Sequence, residues 1–366
     1  MNTTKPDSGL SQRKTAHIEI CTQPGWDLET GKTGFDQVRF HHQALPETSW
    51  DHLGLETQFL GRSVRLPLLI SSMTGGSDEG YRLNKELATA AQAARVPLGM
   101  GSMRVLFHHP EVLEHFRLRH LAPDVPIFAN LGVQELAQEE KRDQFKTLFE
   151  WTRRLEVDAL AIHLNPGQEL FQEGGERDFR GHRSVLQRFF AISRLPVIVK
   201  ETGFGISPEE ARFLLNSGAA WIDVAGSGGT NWLSVEAFRG QGWEQSAAQG
   251  FKDWGWPTAL ATAAIARRKD IPLIASGGIR SGVDLAKALA LGARLGGMAL
   301  PLIRAARSGG QESVLELIAS VEKDLKTSMV LSGASDISQL RRVPLDLSLE
   351  FEHQLKRLRH PFRNWS

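Results

Sequence analysis

The chain has 366 residues, 41% hydrophobic and 23% charged, proportions that exclude a disordered or fibrous polypeptide and predict a globular protein with a large core. A formal net charge of +1 argues against electrostatic recruitment to nucleic acid or to an acidic membrane surface. The single cysteine, Cys21, excludes an internal disulfide framework and any multi-cysteine metal centre, and predicts a reducing, cytoplasmic setting.

Residues 1–12 are polar, lack the apolar stretch of a secretory signal, and predict a mobile tail. An N-terminal extension over 13–66 follows, opening with the basic pair Arg13-Lys14 beside His17-Ile18. Its portion around Phe40 to Glu47, broken by Pro46, reads as irregular. No apolar run reaches the length of a membrane span.

From Pro67 onward short apolar runs alternate with helical stretches. The first run, 67–70, ends in Ser71-Ser72-Met73-Thr74-Gly75-Gly76 and precedes a helix predicted over 81–95. The second, 96–104, carries Gly101-Ser102-Met103-Arg104, and a helical stretch follows from Pro110. The third, 126–132, ends in Asn130-Leu131-Gly132, ahead of a charged helix over 139–155. The fourth occupies 159–165, and the fifth, 196–202, ends in Lys200-Glu201-Thr202, with Pro208 opening its helix. The sixth, 221–230, ends in Gly226-Ser227-Gly228-Gly229-Thr230 and leads into a long, Trp-rich, lid-like insert over 231–256. The seventh, 272–280, ends in Gly277-Gly278-Ile279-Arg280, with a helix after Gly282. The eighth, 293–300, holds Gly296-Gly297 and Ala299-Leu300, with a helix after Gln311. Eight such units at roughly 30-residue spacing predict a (β/α)8 TIM barrel over 67–330, with a C-terminal extension over 331–366. A doubly wound α/β sheet is the alternative.

The fourth run is the richest. Side chains alternate along a strand, so Leu160, Ile162 and Leu164 share one face while Ala159, Ala161, His163 and Asn165 share the other. Pro166-Gly167 breaks the strand, and Gln168 and Glu169 follow within one turn. An imidazole, two carboxamides and a carboxylate thus gather at a C-terminal strand end, where such folds bind ligands.

Glycine pairs after the sixth, seventh and eighth runs let backbone N–H groups approach a phosphate, with Arg280 and hydroxyls as further donors. Ser72, Met73, Thr74, Ser102, Asn130 and Lys200 form a second set at four strand ends. A lysine beside hydroxyls and a carboxamide suits the electron-rich edge of a reduced flavin, and an ion pair with Glu201 or Glu169 is its structural alternative.

These motifs together closely resemble the type 2 isopentenyl-diphosphate isomerases, the flavin-dependent kind. The resemblance rests on Arg13-Lys14 with His17-Ile18, Leu45-Pro46-Glu47, Ser71 to Gly76, Gly101 to Arg104, Asn130-Leu131-Gly132, His163 to Glu169, Gly228-Gly229-Thr230-Asn231-Trp232 and Ser276 to Arg280. It spans the chain from Arg13 to Arg341, and the fourth-run motif is its most specific part.

It implies a barrel binding FMN, Mg2+ and NADPH that interconverts isopentenyl and dimethylallyl diphosphate without net redox change. FMN would be held by Ser72, Met73, Thr74, Ser102, Asn130, Lys200, Thr230, Gly278, Ile279, Arg280, Ala299 and Leu300. The diphosphate substrate would contact Arg13, Lys14, Ser102, Met103, Arg104, His163, Asn165 and Gln168, and Glu169 would ligate Mg2+. Gln168, Trp232 and Glu236 are the implied catalytic residues. Met103 stands where many relatives carry Gln. The resemblance also implies a homo-oligomer, a tetramer or octamer.

Two other functions compete. A flavin-dependent 2-hydroxy-acid oxidase needs a His–Arg pair after the seventh run, and none is there. A non-catalytic flavin-binding sensor is the other. An IMP-dehydrogenase-like enzyme needs a nucleophilic Cys near the sixth run, which Cys21 does not provide.

Overall fold

The computed structural model of the protein describes residues 8–23, 28–239, 243–266 and 271–359. Eight strands form its centre: β1 (Leu68–Ile70), β2 (Leu98–Ser102), β3 (Ile127–Gly132), β4 (Ala159–Leu164), β5 (Val197–Glu201), β6 (Trp221–Asp223), β7 (Leu273–Ser276) and β8 (Leu295–Met298). Each pairs in parallel with its sequence neighbours, and β8 returns to β1 through Gly296 opposite Leu68, closing the barrel. A doubly wound sheet has two open edges; this one has none. All eight strands fall within the runs read from the sequence.

The two faces of each strand enter different cores. Leu160 and Ile162 of β4 pack into the outer layer beneath the helices. Ala159 and Ala161 turn into the lumen with Leu69, Phe128, Ile198, Trp221, Ile274 and Leu295. This is the period-2 division expected of strands buried on both sides.

A hairpin of Thr57–Phe59 and Arg62–Val64 closes the N-terminal end of the lumen. Leu60 and Gly61 both take positive φ, the geometry of a tight two-residue hairpin turn. Phe59 then meets Trp221 edge-on at 4.9 Å between ring centroids. Truncating a buried Phe of this kind costs about 3–5 kcal/mol. A cavity lies at the opposite end, over the C-terminal ends of the strands.

Local chemistry sets the outer helices. Helix Pro208–Ser217 starts on a Ser207/Glu210 capping box with Pro208 at its first turn, and stops at left-handed Gly218. The helix predicted over 139–155 is two, Val133–Lys141 and Phe145–Arg154, because Asp143 takes a positive φ between them. The last long helix begins at Leu300, earlier than expected, and kinks at Gly309 and Gly310. The Pro110–Phe116 stretch is 3₁₀ rather than α.

The N-terminal segment differs from the tail read over 1–12. Residues 1–7 lie outside the described residues, but helix α1 (Ser8–Thr22) already includes 8–12. Its Ile18, Ile20 and Cys21 are buried. Arg304 Nε donates to the Cys21 carbonyl at 2.9 Å and Arg307 donates to the Ile18 carbonyl, so two cations sit at the helix C-terminus. Residues 41–47 are irregular, as read from the sequence, and the strand Val38–Phe40 just before them pairs antiparallel with Leu345–Leu347, tying the N-terminal extension to the C-terminal one.

Candidate active site

Above the apolar lumen layer, two residues further along the strands, stand Asn130, His163, Lys200, Asp223 and Ser276. Alternation alone puts these polar groups on the inner face at the open end. The cavity opens above them, lined by residues from the ends of all eight strands.

One end of the cavity carries mixed charge. Lys14 Nζ, from α1, donates to the Ser102 carbonyl at 3.2 Å. Arg104 pairs with Glu135 at 2.8 Å. Short helix Pro166–Phe171 folds Gln168 and Glu169 back over the end of β4. Asn165 Nδ2 donates to Gln168 Oε1 and to Glu169 Oε1, each at 3.1 Å, and the Glu176 N–H donates to Glu169 Oε2 at 3.0 Å. Burial raises the Glu169 carboxyl above its ordinary pKa and Glu135 adds to the rise, against the Glu176 N–H and Arg104.

His163 Nδ1 lies 2.7 Å from Asn130 Oδ1. A carboxamide oxygen only accepts, so Nδ1 carries hydrogen. Burial first, then Lys200 and Arg104, hold the imidazole pKa down to about 3. His163 is therefore neutral at pH 7, with a lone pair on Nε2.

At the other end, Gln168 Nε2 donates to Glu236 Oε1 at 3.0 Å. His17 Nε2 meets the same oxygen at 3.0 Å, and Arg239 pairs with Glu236 Oε2 at 2.7 Å. Burial alone would raise the Glu236 pKa; the bonds from His17 and Gln168 and the charge of Arg239 bring it down to about 2. His17 also meets Trp232 edge-on, with centroids 5.2 Å apart. Trp232 lines the cavity from helix Trp232–Arg239, the first part of the insert over 231–256. Trp254, by contrast, is exposed.

The third wall fits FMN. Ser71 Oγ and Ser72 Oγ are buried at the cavity with no partner among the described residues, two hydroxyls awaiting a polar ligand. Lys200 Nζ donates to the Glu201 carbonyl at 2.8 Å, not to a carboxylate. Burial pushes the Glu201 carboxyl up to about 7 although it accepts the N–H groups of Thr202, Gly203, Phe204 and Gly205. Ser276 Oγ donates to Asp223 at 2.6 Å beside Lys200 on the neighbouring strand. Gly277 and Gly278 both take left-handed φ, and a Cβ on Gly278 would strike the Gly228 carbonyl. That leaves bare backbone at the strand ends suited to a phosphate. Arg280 lines the same wall, pairing with Glu29 and donating to the Ile279 carbonyl at 2.8 Å.

The donor set also fits Mg2+ shared with a ligand. No cluster of three or more His, Cys, Asp or Glu able to hold a metal occurs among the described residues. Glu169 supplies a carboxylate, and Asn165 Oδ1 is buried without a partner among the described residues. A hard cation here would complete its shell with water and phosphate oxygens.

Most residues expected at the site line this cavity: Lys14, Ser72, Met73, Thr74, Ser102, Arg104, Asn130, His163, Asn165, Gln168, Glu169, Lys200, Thr230, Trp232, Gly278, Arg280, Ala299 and Leu300. Three expectations need correction. The Met103 side chain is fully buried in the core away from the cavity, because the 3₁₀ turn after β2 directs it inward. Ile279 is likewise a core side chain, leaving only its backbone to face a ligand. Glu236 lies behind the wall and reaches the cavity through Gln168 and His17. The Arg13 side chain lies outside the described residues. Glu135 and His17 were not singled out as site residues from sequence. His17 lay in the N-terminal motif; Glu135 had no signal beyond following a polar strand end.

Residues 7–111 and 182–346 match the FMN-dependent dehydrogenase family. An isopentenyl-diphosphate delta-isomerase from Xanthobacter autotrophicus is 44% identical over 341 residues, 93% of this chain and 98% of that protein. Another, from Pyrococcus abyssi, is 39% identical over 338 residues, 91% of each chain. The chain belongs to the type 2, FMN-dependent isopentenyl-diphosphate delta-isomerase family. Its barrel extends beyond that family: a flavocytochrome b2 mutant superposes with a TM-score of 0.66 at 19% identity, covering 93% of this chain and 84% of that one. A mandelate oxidase variant gives 0.60 at 16% identity, covering 94% and 100%. At such identities the likeness is one of fold alone.

Proposed function

We propose that the protein interconverts isopentenyl and dimethylallyl diphosphate, with FMN, Mg2+ and NADPH. One observation carries this reading. A single cavity joins a charged end, built from Lys14, Arg104, Asn165 and Glu169, to a Gln168–Glu236–His17 network beside Trp232. A diphosphate with a short unsaturated tail has that same division.

In this reading Lys14 and Arg104 bind phosphate oxygens, and Glu169 would hold Mg2+, which would offset the charge of the diphosphate. Trp232 covers the alkenyl tail and keeps water from it. Reduced FMN, regenerated by NADPH, supplies an electron-rich ring able to give and take protons without net oxidation of substrate. Lys200 provides the positive charge that favours an anionic ring, and Ser71 and Ser72 offer it their unpaired hydroxyls.

Gln168 is the protein group nearest this chemistry. Its Nε2 is committed to Glu236 and its Oε1 to Asn165, so its amide has one orientation. An amide does not titrate near pH 7, and Glu236, its pKa held down to about 2, is an anion there with His17 Nε2 3.0 Å from its Oε1. We therefore assign Gln168 to contact with the reacting carbons, and Glu236 and His17 to positioning it.

The test is anaerobic turnover with FMN, Mg2+, NADPH and isopentenyl diphosphate. Dimethylallyl diphosphate far in excess of NADPH consumed supports an isomerase. One-for-one NADPH consumption would point to an oxidoreductase instead, and bound flavin without turnover to a sensor.

A further inference from the structure

Glu135 is a buried carboxylate in the cavity to which nothing above assigns a role in the reaction. It follows β3 by three residues and lies over the end of that strand, where a Cβ on Gly132 would strike its Oε2 and sit 2.9 Å from His163 Nε2. Its other oxygen pairs with Arg104 at 2.8 Å. Glu169, whose carboxyl burial and the nearby Glu135 raise above its ordinary pKa, is the second carboxylate of this end. Lys14 and Arg104 are the cations beside them. Asn165 Oδ1, buried without a partner among the described residues, marks a place for a cation or a donor.

Two carboxylates thus offset two cations before any ligand arrives. A bare diphosphate must take Arg104 from Glu135, leaving that carboxylate buried, unpaired and facing new negative charge. A diphosphate that brings a divalent cation replaces the lost positive charge as it takes the guanidinium. We propose that Glu135 makes this pocket select metal-loaded diphosphate over the bare anion. It acts by charge as a specificity-determining residue, and the inference rests on the diphosphate reading above.

Inorganic pyrophosphate is the probe, titrated calorimetrically into the FMN-loaded protein with Mg2+ and with chelator. Wild-type protein binds far more tightly with Mg2+. In Glu135→Gln the metal-free dissociation constant falls by about tenfold or more, so the preference for metal narrows. Glu135→Asp keeps the carboxylate and retains the preference. Melting temperature and FMN affinity confirm that each variant is folded. If Glu135 served only to hold Arg104 in place, Glu135→Gln would bind pyrophosphate more weakly in both conditions; that result, or an unchanged preference, overturns the proposal. A wild-type protein that binds no pyrophosphate in either condition overturns the diphosphate reading itself, and this inference with it.

Discussion

Gln168 donates to Glu236 across 3.0 Å, although 68 residues separate them. The bond joins the turn after β4 to the helix after β6, and His17 of α1 completes it from a third direction. Three segments therefore fix the orientation of one carboxamide facing the cavity.

Replacing Glu236 with Gln keeps the shape but removes the charge that orders His17 and Gln168. The expected result is a fall in kcat of about 10²-fold, with KM changed by less than about threefold. His17→Ala should give a similar loss. Because both act through one contact, between His17 Nε2 and Glu236 Oε1, the double variant should be little worse than either single one. Additive losses would show that the two residues work independently.

Glu169 accepts from Asn165 Nδ2 and from the Glu176 N–H, so Glu169→Gln keeps one of these acceptors, gives up the other and removes the charge. The Mg2+ concentration giving half-maximal rate should rise by about tenfold or more. An unchanged Mg2+ requirement would remove Glu169 as the metal's protein ligand.

Deleting residues 1–16 removes Lys14 but leaves Ile18, Ile20 and Cys21 in the core. KM for the diphosphate should rise by about tenfold, the loss of one charge-assisted contact. An unaltered KM would show that α1 contributes nothing to substrate binding.

His163 gives a pH dependence with a definite sign. Its folded pKa is held down to about 3 against an ordinary 6.5. Between those values the unfolded chain binds a proton that the folded chain excludes. Stability is therefore full above about pH 6.5 and falls as the pH drops toward 3, by up to about 1.4 kcal/mol per pH unit. His163→Gln should flatten this limb in chemical denaturation followed from pH 7 to 4. An equally steep limb in the variant would assign acid sensitivity to other groups.

Much of the barrel follows from local sequence. Each strand is a short apolar run bounded by Pro, Gly or polar residues, and the two-residue period assigns its faces without tertiary information. That period places Asn130, His163, Lys200 and Ser276 inward at the open end. Asn165, Gln168 and Glu169 meet because one break, at Pro166-Gly167, folds five residues over a strand end. Closeness in sequence made that cluster legible.

The remaining contacts depend on where separate elements dock. Arg104 and Glu135 follow different strands, and no spacing indicates that the pairing of β2 with β3 brings their side chains together. His17 reaches Glu236 only because α1 packs its apolar residues beside the insert. Met103 shows the limit from the other side: it sits within a legible motif, yet one turn of 3₁₀ backbone sends it into the core. Sequence by itself determined the strands, their faces and the groups at their ends, because those follow from backbone geometry and residue period. Barrel closure and helix docking alone decided which charges meet, because side-chain contacts across elements depend on distances that no local pattern encodes.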